Sequence, residues 1–217
     1  MRTPDDSPRY TGPEPYALAD WRRRINDIYA RVRAEPEPRA AWEAWRAARD
    51  SLYAAHPQSP LPQAARAAFR GLAFFDYDPA MRFAVDLKPA GGAALHFDLG
   101  ADGRMTCRPV ARTEGLAGAL GAELPLYWID GYGGGLFLPF GDATNGAETY
   151  GGGRYLVDAI KGADLGLDGE GRLILAFNFA YTPSCALNPA YVCPLPPPEN
   201  RLPAPVWAGE KHPAHHA

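Results

Sequence analysis

Apolar residues in the first third of the chain recur at helical spacing. Trp21, Ile25, Ile28, Tyr29 and Val32 follow an i, i+4, i+7, i+8 stripe, with Asp20 placed to cap the helix they define. The EPEP stretch at residues 35–38 ends it, because proline cannot continue a helix and disfavours helical geometry in the residue before it. A second helix is expected over residues 39–54, with Trp42, Trp45 and Leu52 along one side and Glu43 within reach of Arg46 on the exposed side. HPQSPLP (56–62) then breaks the chain, and residues 63–69 add a short helical turn. From Leu72 onward the period drops to two. Strands are expected at 74–77, 82–87, 95–99, 105–110, 124–129, 136–140, 154–157 and 172–177. Asp78-Pro79, Gly100-Ala101-Asp102-Gly103 and Asp168-Gly169-Glu170-Gly171 supply turns between them. Tight turns join antiparallel strands only, since parallel ones need crossovers of about a dozen residues. The expected fold class is mainly β with N-terminal helices (α+β), an antiparallel β-barrel or sandwich of about eight strands.

Past Phe177 the periodicity stops. Residues 178–211 hold eight prolines and two cysteines. Such a segment is too apolar for a linker and is read as a long irregular Pro-rich C-terminal wrap. The chain therefore divides into a disordered or extended N-terminus (1–19), a helical segment packed on the sheet (20–70), an antiparallel β domain with its wrap (71–211) and a flexible His-rich tail (212–217). Of its 217 residues 47% are apolar, enough for one sizeable core. The 23 glycines and 23 prolines require many short elements and turns. With 22 basic against 25 acidic groups the net charge is −3, which argues against a protein that coats nucleic-acid phosphates. No run approaches the roughly 20 apolar residues of a membrane span. The opening MRTPDDSPRYTGPEP has no apolar signal core, and three cysteines are too few for a disulfide scaffold, so a reducing cytoplasm is expected. All but three of the basic residues are arginine, a bias attributed to a GC-rich genome rather than to arginine chemistry. Oligomeric state leaves no trace in this pattern.

Three blocks resemble a bacterial and archaeal family catalogued only as domain of unknown function 1684. They are FGDATNGAETYGGGRYL (140–156), FNFAYTPSCALNPAYVCPLPPPENRLP (177–203) and AGEK (208–211). WRAARD (45–50), the SPL at 59–61 and FRGLAFFDYD (69–78) are weaker matches, so the similarity runs from the second helix onward. In the family an Asp usually precedes the Phe-Asn pair, where this chain has Ala176. A role that needs that carboxylate is therefore missing here. The family carries no assigned activity, so the resemblance implies a functional surface and no reaction.

Candidate chemistry gathers in two places. Asp142, Thr144, Glu148, Tyr150 and Arg154 follow a strand, and Gly151-Gly152-Gly153 lets backbone approach a ligand. Arg154 offers a planar fork of donors for a carboxylate or phosphate; the alternative is a glycine-rich bulge whose arginine pairs with Asp142 or Glu148. These glycines lack the spacing of a dinucleotide or P-loop motif. In the wrap, Asn178, Tyr181, Asn188 and Tyr191 either orient a ligand or tie irregular backbone together. Glu199-Asn200-Arg201 follows three prolines; Arg201 and Arg154 can form an anion clamp with Glu148, Glu199 or Glu210 as acid or base, or the same network pins the wrap. Cys185 and Cys193 are eight positions apart, where zinc knuckles place cysteines two to four apart, and they are expected to be buried and reduced. A nucleophilic thiol would need a base, and His96 is the histidine in question outside the tail and the His56 loop. No metal or cofactor is expected.

Three functional readings follow. The leading one is a small-molecule-binding protein with Arg154, Tyr150, Asn178, Tyr181, Asn200 and Arg201 around the ligand, and no nucleic-acid or membrane partner. The second is a hydrolase or isomerase acting on a small anionic or carbonyl substrate, with Glu148, Tyr150 and Glu199 as catalytic candidates. The third is a protein-interaction scaffold presenting Trp21, Trp42 and Trp45, against which ordinary packing of those tryptophans is the stronger account.

Overall fold

The structure, a computed structural model, describes residues 14–212. The apolar stripes at its start form two packed helices, α1 (Glu14–Ala34) and α2 (Pro38–Ala55). Helix α1 begins six residues before the expected cap. Proline at position 15 is tolerated because the amide it lacks has no partner in the first turn of a helix. Asp20 is therefore inside α1, where it accepts from Arg24 Nε at 2.7 Å and lies 3.2 Å from His56 Nε2 just past α2. The expected extended N-terminus thus gives way to helix from Glu14; residues 1–13 and most of the expected His-rich tail (213–217) lie outside the described residues. A single turn, α3 (Gln63–Arg66), is fastened by Arg66 to the carbonyls of Pro57, Ser59 and Leu61.

Seven strands follow: β1 (Arg82–Pro89), β2 (Leu95–Asp98), β3 (Arg104–Glu114), β4 (Pro125–Ile129), β5 (Gly135–Phe140), β6 (Arg154–Asp158) and β7 (Leu173–Ala176). They pair antiparallel in the order β6-β5-β4-β3-β1-β7, with β2 beside β3, as a nearly closed barrel-like sheet. Strand β1 changes partner midway: its residues 82–85 pair with β7 and its residues 86–89 with β3. The path leaves β6 and β7 at its ends. Tyr181, a few residues beyond β7, narrows that gap by exchanging two backbone hydrogen bonds with Tyr155 of β6 at 2.9 and 3.0 Å.

The strand expected at 74–77 does not join the sheet, so seven of the eight expected strands form among the described residues. Phe74 makes only an isolated bridge to Glu210, and the Phe75 amide donates to Gly209 O at 3.0 Å. The partner is the C-terminal strap, whose Gly209 has φ +80 and sits so close that a Cβ would lie 2.6 Å from Phe177 O. That conformation interrupts any longer ladder.

Both faces of the sheet are covered. Tyr127, Phe137 and Tyr155 face the helices with Trp42, Trp45 and Phe179, whereas their neighbours Leu126, Leu138 and Leu156 face an inner core closed by Val206 and Ala208. Leu116, just before the short α4 (Ala117–Leu120), and Leu120 at its end complete that inner core. Burial on two sides explains why β6 is buried along its whole length and shows no apolar–polar alternation. Trp21, Trp42 and Trp45 all lie in the core, so the helical tryptophan surface of the scaffold reading is not a surface. Among the described residues no helix is long and apolar enough to cross a membrane.

Candidate functional site

Gly153 turns the chain into β6 with φ +85, where a Cβ would lie 2.6 Å from both Phe140 O and Pro196. That turn delivers Arg154 to the inside, 0% exposed. Its Nη2 donates to Asp142 Oδ2 at 2.8 Å and to Val206 O at 3.1 Å, and its Nη1 to the carbonyls of Ala208 and Glu210. Asp142 Oδ1 in turn accepts from the Thr144 amide and hydroxyl and from the Val206 amide. The guanidinium therefore looks inward beneath the wrap, with both terminal nitrogens committed to holding the strap. Only Nε lacks a partner.

The other predicted residues separate in space. Asn178 brackets Asp78, accepting from its amide at 2.9 Å and donating to its carbonyl at 2.7 Å. Tyr181 donates to Asp158 Oδ2 at 2.8 Å. Asn200, 0% exposed, donates to the carbonyls of Pro125 and Pro139 and accepts from the Tyr127 hydroxyl at 3.0 Å. Glu148 and Arg201 are exposed; exposed Glu199 accepts from Tyr127 at 3.3 Å. Asn188 caps the Ala190 amide, and Tyr191 is exposed. Glu210 is buried against Arg49 of α2 at 2.7 Å. Asn200 and Arg201 meet the backbone of Gly141, next to Asp142, whose carboxylate holds Arg154.

Two features offer room for chemistry. The first is a cavity of about 380 Å³ between the end of α1, the α1–α2 hinge and the β1–β7 pair. Val32, Ala41, Ile174 and Phe179 line it, with Arg33, Glu35 and Arg82 among its charged groups. Arg33 is held by Asp164 O at 2.6 Å. The exposed Arg82 side chain has no hydrogen bond or ion pair among the described residues. Ala176 is also in the wall. Sequence reasoning missed this site. Its one legible signal was the EPEP hinge, whose Pro36 and Pro38 line it.

The second feature is a thiol pair. The Cys185 amide donates to Cys193 Sγ at 3.3 Å, and the Tyr150 hydroxyl lies 3.8 Å from Cys185 Sγ. Both cysteines, themselves part of the wrap, are half-buried, where buried thiols were expected. The hydrogen bond from Cys193, then the Tyr150 hydroxyl, the local amide and the charge of Lys161 outweigh burial and lower the Cys185 thiol to about 6. Cys193 is displaced upward as the donor of that bond. Burial and the bond to Cys185 raise Tyr150 to about 12, so it keeps its proton. His96 stands on the exposed side of β2, bonded to Thr106 Oγ1 at 3.0 Å.

Fold and ties together define a class: a helix-covered, nearly closed antiparallel barrel whose C-terminal strap is locked by buried arginines. The chain belongs to the family described as "Protein of unknown function (DUF1684)", whose model matches residues 67–211. The solution NMR structure of an uncharacterized protein from Haloarcula marismortui is similar to it, with 31% identity and a TM-score of 0.55 over 80% of this chain and 94% of that one. No curated protein matches the chain.

Proposed function

We propose that this protein binds a small amphipathic molecule, with an apolar body and an anionic end, in the cavity beside the α1–α2 hinge. One observation carries the reading: a cavity of about 380 Å³, walled partly by apolar side chains and partly by polar groups, opens beside Arg82, a cation with no protein partner among the described residues. The volume lies within the ~300–1,000 Å³ of small-molecule sites; Val32, Ala41, Ile174 and Phe179 offer the apolar body a seat, and the polar groups of the same walls fix its orientation. Arg82 takes the anion that the sequence assigned to Arg154, while Arg154, Asn178, Tyr181 and Asn200 hold the shell.

The test is thermal-shift screening against carboxylates and phosphate esters with short apolar tails. A ligand at a hundred times its dissociation constant adds about 2.7 kcal/mol, a shift of several degrees. Arg82→Gln is expected to leave the unliganded midpoint unchanged and weaken binding about tenfold or more. Equal binding by that variant, or a panel without any shift, overturns the reading.

A further inference from the structure

We propose that Cys185 and Cys193 form a redox-active pair that reduces a hydroperoxide, with Cys185 as the attacking thiolate, Cys193 as the resolving thiol and Tyr150 as the hydrogen-bond donor to Cys185. This stands apart from the cavity reading and shares none of its residues. The placement comes from the backbone. Pro183 leads into a turn at Ser184–Ala186, and the Cys185 amide holds Cys193 Sγ at 3.3 Å, which brings the second sulfur alongside the first. Tyr155 donates to Pro194 O at 2.6 Å and so fixes the segment just after Cys193. Lys161, bonded to Ser184 Oγ at 3.4 Å, adds positive charge next to the turn. Half-burial leaves the pair reachable, unlike Cys107, which is fully buried and pushed up to about 11 by burial first and by nearby carboxylates.

The lowered Cys185 thiol and the proton retained on Tyr150 fit these roles, because the thiolate is the nucleophile and a phenol O–H stabilises it. In the first step the Cys185 thiolate attacks the terminal oxygen of the hydroperoxide. The S–O bond forms as the O–O bond breaks, and the leaving alkoxide or hydroxide takes up a proton as alcohol or water. In the second, the Cys193 sulfur attacks the resulting sulfenic acid; the S–S bond forms, the S–O bond breaks, and a water molecule leaves with the Cys193 proton. Two thiols lose two electrons, and the peroxide gains them. An external dithiol reduces the Cys185–Cys193 disulfide back to two thiols by exchange and leaves as a disulfide itself.

Two measurements on the full chain test this. Peptide-resolved alkylation with iodoacetamide needs no variant. Between pH 7 and 8 an ordinary thiol labels ~8-fold faster as its thiolate fraction grows, whereas Cys185 is expected to change less than ~1.5-fold. Hydrogen peroxide followed by mass spectrometry is expected to link Cys185 to Cys193 within one chain. Cys193→Ser is expected to halt at a sulfenic acid on position 185 that dimedone traps, and Tyr150→Phe to move the labelling midpoint of Cys185 upward. Ordinary pH dependence at Cys185, or oxidation of Cys193 alone or between chains, overturns the proposal.

Discussion

Asn200 inserts its amide where two strands part. Strands β4 and β5 are paired as far as Tyr127 and Phe137, and beyond that point the carbonyls of Pro125 and Pro139 face the Asn200 amide nitrogen at 3.0 and 2.8 Å. Its oxygen accepts from the Tyr127 hydroxyl. Asn200→Ala takes the buried amide donor from two carbonyls and leaves Tyr127 only its longer bond to Glu199, so urea unfolding is expected to show a loss of about 2–4 kcal/mol; a loss below about 1 kcal/mol would mean that water fills the gap without penalty. Asn200→Asp should be worse still, since it points a carboxylate at two acceptors. The reading of Asn200 as a ligand group was drawn from the same chemistry, an amide that can donate and accept at once. Nothing in the letters near it tells whether the partner is a bound molecule or the backbone of distant strands. Arg154 poses the same ambiguity, and for it too the structure supplies partners from the chain itself.

The helices were legible because their stripes repeat locally: Trp21, Ile25, Ile28, Tyr29 and Val32 are all in the core. Their ends were less so, since an early proline and an internal Asp20 obey rules that a capping pattern overlooks. The contact between the start of α1 and the residue just past α2 also sets a pH dependence. His56 Nδ1 accepts from the Gln58 amide at 3.1 Å while Nε2 faces Asp20, so the neutral ring already uses both nitrogens. Burial lowers the His56 pKa; Asp20 opposes this, and Arg24 and Arg66 add to it. The folded ring thus refuses a proton that the unfolded chain accepts, and its contribution to stability, present above 6.5, is lost as pH falls below that value. Asp20 resists burial through Arg24 and His56 and stays below 3.8, so its contribution is lost only at still lower pH. Denaturation at pH 7.5 and 5.5 is expected to show wild type losing stability relative to His56→Gln over this interval. Parallel behaviour of the two proteins would assign the acid sensitivity elsewhere.

The whole molecule is fastened at its end. Arg154 holds the carbonyls of Val206, Ala208 and Glu210, Arg49 holds the Glu210 carboxylate, and Val206 and Ala208 are fully buried in the inner core. Blocks far apart in sequence, around Arg49, Asp142, Arg154 and Glu210, meet here. Such long-range pairing leaves no periodic mark, which is why the strap looked like a candidate site and the strand at 74–77 looked like part of the sheet. Arg154→Met leaves Asp142 buried without its cation and is expected to cost about 3–5 kcal/mol, read as a lowered denaturation midpoint with native near-UV circular dichroism below it. A midpoint within about a degree of wild type would show the lock to be ornamental. The bridge that narrows the barrel between Tyr155 and Tyr181 lies just upstream of this lock. Val206 and Ala208 follow the last strand in chain order, so a nascent chain has all its strands before it has the means to seal them. Val206 and Ala208 reach their seats only when synthesis has passed them, so native packing is completed late, and until then the interior leucines stay open to chaperones and proteases.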